Sequence, residues 1–123
     1  MATPFTPERA QLLLAVEIPS ITAERPVTRA VIAAIPPDKC DYTPDPVTRS
    51  AIDLAWHIVT AESRFLEAAA DGGFDLTARP RPDTVRAPED VDAWYDERLP
   101  RLLERLKAVP ADDLAKPIDF RGV

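Results

Sequence analysis

Apolar residues recur at three- and four-residue steps over three long stretches of the chain, and each stretch predicts a helix. The first runs from about 7 to 34. Thr6-Pro7-Glu8 supplies a capping side chain, a proline suited to the first helical position, and an acid at the positive end of the helix dipole. Leu12, Leu13, Val16, Ile21, Val27, Val31, Ile32 and Ile35 mark its apolar positions. Pro19 and Pro26 fall inside, and each removes a backbone donor. The expectation is therefore either two segments broken near Pro19 or one bent rod.

The second stretch, Ser50 to about Ala70, carries the densest pattern. Ser50 and Asp53 have the spacing of a capping box. Ile52, Ala55, Val59, Leu66 and Ala69 form one stripe. Leu54, Trp56, Ile58 and Phe65 widen it, which predicts a helix buried between neighbours. Asp71-Gly72-Gly73 ends it, glycine supplying the left-handed terminus. The third helix begins at Ala87-Pro88-Glu89-Asp90 and carries Val91, Tyr95, Leu99, Leu102, Leu106 and Val109. Pro100 predicts a kink within it, and Val109-Pro110 closes it. Residues 36–49 hold four prolines and three aspartates and read as a rigid connector. Residues 74–87 read as a loop, and the tail from 111 has no long period. With no convincing strand and no internal repeat, the fold class is all-α: a helical bundle of three main helices in one domain, 1–123. The first two helices either run antiparallel or are joined by a crossover.

Composition narrows the function classes. The 123 residues carry 21 acids against 15 bases, a net charge of −6. That balance argues against nucleic acid or an anionic membrane as partner, since either needs a basic face. The apolar stretches fall short of the roughly 20 residues a membrane helix needs. A lone cysteine, Cys40, permits no internal disulfide and fits a reducing compartment. The N-terminus has no signal-peptide pattern, so a cytoplasmic protein is the expectation.

The single histidine, His57, is the one residue with chemistry at neutral pH. Asp53, one helical turn earlier, could hold one ring nitrogen. A metal site needs three or four ligands. The other candidates are carboxylates: Glu62 inside the second helix's stripe, and Glu17 or Glu24 from the first. Spacing alone favours a histidine that is solvated or bonded to a neighbour. Cys40 has only Lys39 beside it to lower its pKa and reads as a small half-buried residue. Trp56, Trp94 and Tyr95 sit on helical stripes and read as core or subunit-interface residues. Arg79, Arg81 and Arg86 make the 74–87 loop locally basic, which could steer an anionic substrate.

The order of motifs resembles the DinB-like superfamily. A first helix ends at Pro37-Asp38-Lys39, a Tyr42-Thr43-Pro44-Asp45-Pro46 connector follows, and then Ser50-Ala51-Ile52-Asp53-Leu54-Ala55-Trp56-His57-Ile58. The stretch PEDVDAWYDERLPRLLERLKAVPADDLAKPIDF is similar to the family's third helix and the approach to its last. The resemblance implies a four-helix bundle with a long crossover, often a homodimer. It also implies one divalent metal, zinc or nickel, held by three histidines. His57 matches the ligand on the second helix; the other two lie four residues apart on the last. Relatives include transferases and isomerases that act on small electrophiles with a low-molecular-weight thiol: bacillithiol, mycothiol or glutathione. Arg121-Gly122-Val123 falls about where the family enters its final helix. The expectation is a domain truncated before that helix, or a variant without the site. Three helices shaped for a four-helix core would expose an apolar groove, leaving the chain marginal alone or paired as a homodimer.

Overall fold

A computed structural model describes residues 4–123. Three long helices form: α1 (Pro7–Ala33), α2 (Ala51–Asp71) and α3 (Pro88–Lys107). A 3-10 turn at Pro37–Lys39 and a one-turn α4 at Ala111–Leu114 complete the elements. No strand occurs among the described residues, and none of their helices is long and apolar enough to cross a membrane.

The caps follow the sequence. Thr6 Oγ1 accepts from the Arg9 amide at 3.3 Å, starting α1. Ser50 Oγ accepts from the Asp53 amide at 3.2 Å and donates to the Asp53 carboxylate at 2.9 Å. Gly72, at φ 79°, closes α2 in the left-handed conformation. Asp90 reaches back to the Ala87 amide at 3.0 Å, opening α3.

None of the internal prolines breaks its helix. In α1 the donors missing at Pro19 and Pro26 orphan the carbonyls of Ala15 and Thr22, four residues back; both residues are exposed, so water can satisfy them. The two-segment alternative for α1 is therefore replaced by one continuous helix. In α3 the orphaned carbonyl belongs to Asp96, and a side chain from another helix comes to it: Arg25 Nη2 donates at 3.5 Å.

Side-chain pairs fix the helix directions. Arg25 meets Asp96, and Arg29 forks onto Asp92 at 2.7 and 2.9 Å. The numbers run in opposite order, so α1 and α3 are antiparallel. Tyr95, Arg98 and Arg105 of α3 meet Glu62, Glu67 and Asp71 of α2. These run in the same order, so α2 and α3 are parallel, and α1 and α2 are antiparallel. Parallel neighbours require the chain to travel back along α2, and the 74–87 loop does so as a strap. Arg64 donates to the Thr77 carbonyl at 2.8 Å, Trp56 Nε1 to that of Arg79 at 3.0 Å, and Arg81 Nε to Asp53 at 2.6 Å.

α3 is the central helix and packs on both α1 and α2, which barely touch each other. The core joins Ile18 and Ile32 of α1, Ile52, Ala55, Trp56 and Val59 of α2, and Val91, Tyr95, Leu99, Leu103 and Leu106 of α3. Tyr95 is 1% exposed, and its hydroxyl donates to Glu62 at 2.8 Å. Burial and the Glu62 carboxylate both push its phenol well above the ordinary value.

The outer faces depart from expectation. Leu54, Ile58 and Phe65 of α2 are 48%, 41% and 54% exposed, so this helix is not enclosed by its neighbours. The apolar positions of α1 divide between two faces. Ile32 is buried, whereas Leu12, Leu13, Val16, Val27 and Val31 are all at least half exposed. The physical reason is the arrangement itself: α3 covers one face of each flanking helix, while the short α4 on α1 and the strap and tail along α2 leave these outer apolar residues half open.

Candidate functional site

His57 lies on the open side of α2. Asp53, His57, Ala61 and Arg64 follow at four- and three-residue steps, so they share one face over about 16 Å of helix. The strap forms the facing wall with Leu76 and Ala78–Arg81, and the tail adds Phe120 and Arg121. Together they enclose an open groove of about 710 Å³.

Each wall has a local reason. The Trp56 indole is 6% exposed, and its N–H donates to the strap at the Arg79 carbonyl. Arg79 pairs with Glu67 at 2.7 Å, and Arg98 of α3 reaches the same carboxylate at 3.0 Å. Burial pushes the Glu67 carboxyl up, but the two guanidiniums outweigh it and hold it below its usual range. The Arg81 hydrogen bond likewise holds Asp53 below the carboxylate range against some desolvation, helped by the Ser50 hydroxyl and by Arg49. At the far end Phe65, Phe74 and Phe120 touch one another, with ring centroids 4.8–5.6 Å apart. This triad fastens the tail to α2.

The sequence-predicted residues are only partly brought together. His57 is exposed in the groove, and its ring makes no hydrogen bond among the described residues. Asp53 lines the same groove, but its carboxylate is engaged by Arg81 and Ser50 rather than by the imidazole. Glu62 lies about 140° around α2 from His57, facing Tyr95. Glu17 and Glu24 sit exposed on α1. No group of three His, Cys, Asp or Glu side chains converges among the described residues. Cys40 is half-buried, its thiol 3.6 Å from the Pro37 carbonyl. Tyr95 and Trp56 are core residues; Trp94 is half-buried, 4.9 Å from Trp56 and beneath Arg98 at 5.0 Å. Arg79 and Arg81 enter the groove, while Arg86 lies outside it and donates to the Asp83 carbonyl.

Sequence reasoning missed Arg49, Arg64, Arg121 and the phenylalanine triad as parts of one site. Arg64 and Phe65, seven and eight residues after His57, share its side of α2 and could have been found by helical spacing. The other residues lie in segments with no period to read.

A three-helix array with a long strap and an exposed histidine on the second helix defines a bundle-type protein with an open lateral groove. A family model described as the DinB superfamily matches residues 20–123. The chain belongs to the DinB superfamily. No curated protein and no solved structure matches it.

Proposed function

We propose that this protein is a metal-dependent enzyme acting on a small electrophile, as an S-transferase or isomerase with a low-molecular-weight thiol. His57 is one ligand to a divalent ion, zinc or nickel, and the groove beside it takes the substrate. One observation carries the reading: the single imidazole of a DinB-superfamily chain lines an open groove of about 710 Å³, a size suited to a small molecule. Such an ion, when bound, would lower the pKa of a coordinated thiol or water. The described residues do not make a metal site by themselves. They offer one imidazole and an Asp53 carboxylate already taken by Arg81, and tight sites use three or four donors.

The test is zinc and nickel titration of the protein and of His57→Ala, followed by thiol-dependent turnover of a panel of electrophiles. Saturable binding that His57→Ala abolishes supports the reading. Equal binding by both proteins removes His57 as a ligand. A second reading, a non-catalytic bundle that assembles as a homodimer, is favoured by the exposed row of Leu13, Val16, Val27 and Val31 on α1. Sedimentation separates the readings. A dimer made monomeric by Val16→Glu with Val31→Glu, and indifferent to metal, supports the second.

A further inference from the structure

The groove beside His57 does not share the protein's acidic balance. Arg49, Arg64, Arg79, Arg81 and Arg121 line it, with Asp53 as the one carboxylate, while the chain as a whole carries −6. Arg79 and Arg81 are committed to Glu67 and Asp53. The other three make no ion pair within 4 Å among the described residues; Arg49 lies near Asp53 and Arg64 near Asp75, an exposed carboxylate beside Arg79. Elsewhere most guanidiniums of α1 and α3 find carboxylates: Arg25 and Arg29 on Asp92 and Asp96, Arg98 on Glu67, Arg101 on Glu97, Arg105 on Asp71, with Arg9 on the Pro4 carbonyl instead. The groove is thus where arginines gather without enough acids to neutralise them. Unpaired charge along an apolar wall focuses positive potential outward.

Two of the three unpaired arginines sit at one end, beside the aromatic triad. Arg64 adjoins Phe65 in the chain, and its one protein hydrogen bond goes to the Thr77 carbonyl. Arg121 lies over the Phe120 ring at 5.5 Å. Phe65 and Phe120 touch, at 5.6 Å between centroids, and Leu76 lines the same groove at 44% exposure. This end therefore offers an apolar floor with two guanidiniums at its rim. A planar guanidinium suits a carboxylate, which can accept two N–H donors at once.

We propose that the groove binds a small organic anion with an apolar or aromatic body. Its carboxylate meets Arg64 and Arg121, and its body lies on Phe65, Leu76 and Phe120. Arg49 extends the positive potential past His57 and steers the ligand along α2. The proposal rests on reading the groove as the ligand site, and it does not need the metal.

The test uses 3-phenylpropionate and its uncharged amide, 3-phenylpropionamide, titrated calorimetrically in EDTA so that no ion can bridge the carboxylate. The acid should bind saturably, about tenfold or more tighter than the amide, and weaken severalfold between 50 and 500 mM salt. Arg64→Gln and Arg121→Gln should each weaken the acid about tenfold while leaving the amide unchanged. Arg64→Lys should retain part of the affinity, and Arg101→Gln, outside the groove, should retain all of it. Circular dichroism confirms that each variant is folded. Equal affinity for acid and amide would reduce the site to an apolar patch and overturn the proposal. So would absence of binding, or a loss in Arg101→Gln as large as in Arg64→Gln. Because His57 is unaltered and metal is removed, these failures leave the metal reading to its own titration.

Discussion

Replacing Tyr95 by Phe tests the polar contact at the centre of the bundle. The change removes one oxygen and leaves the ring, so no cavity opens around a side chain that is 1% exposed. What is lost is the hydroxyl's hydrogen bond to the Glu62 carboxylate at 2.8 Å. A hydrogen bond to a charged partner contributes about 1.5–3 kcal/mol. The low end applies, about 1.5 kcal/mol, because Glu62 is half-exposed and water can replace the lost donor. The same pair predicts an alkaline signature. The folded Tyr95 phenol titrates above its unfolded value of about 10. Its stabilisation is therefore intact below pH 10 and is lost as pH rises beyond it. By pH 11 the native protein should lose about 1.4 kcal/mol that Tyr95→Phe has no phenol to lose. Urea unfolding followed by circular dichroism at pH 7, 9, 10 and 11 reads both effects. The variant should begin less stable, and the two curves should meet near pH 11. A gap as wide at pH 11 as at pH 7 would refute the idea that a buried neutral phenol facing Glu62 stabilises the fold.

Core and open-face leucines should respond differently: Leu99→Ala, at a fully buried site, should cost about 2–5 kcal/mol, and Leu12→Ala, 68% exposed, under about 0.5 kcal/mol, both by urea titration. The carboxyls of Asp53, Glu67 and Asp92 titrate below their unfolded values, so their stabilisation is complete above about pH 5 and is lost as pH falls through and below their unfolded range. The urea midpoint should drop steadily from pH 5 to pH 2.5, and a flat profile would contradict the ion pairing described. Pro26→Ala should raise the melting temperature, because it restores a donor to the exposed Thr22 carbonyl inside α1; a lower melting temperature would show that the proline shapes the helix usefully.

The helices were legible because capping side chains and apolar spacing act locally. Thr6, Ser50, Gly72 and Pro88 each mark a boundary within a residue or two of where it falls. Less legible was which apolar positions would be covered. Periodicity shows that Val16 and Val31 can lie on a helix face, but not whether a neighbour arrives to bury it. The candidate site was legible only at its centre. His57 stands out by composition, and the family motif assigns it a place. Arg49, Arg64, Arg81 and Arg121 converge from a connector, a helix, a strap and a tail. Their meeting depends on α2 and α3 being parallel, a long-range property with no local signal. For the same reason an acidic total concealed a basic groove.

Pro100 bears on how the bundle avoids misassembly. Apolar stripes are interchangeable, and one greasy helix can dock on another in several registers or orientations at similar energy. A carbonyl left without its own helix's donor, at Asp96, breaks that degeneracy. It asks for a cation at one height on one side of α3, and Arg25 answers only when α1 lies antiparallel and in step. Sliding α1 by one turn, about 5.4 Å, would in one direction set Ile21 at that height and leave the carbonyl without a guanidinium, and in the other set Arg29 there while stripping Asp92 of its partner. The flaw in one helix thus serves as an address that its neighbour alone can read.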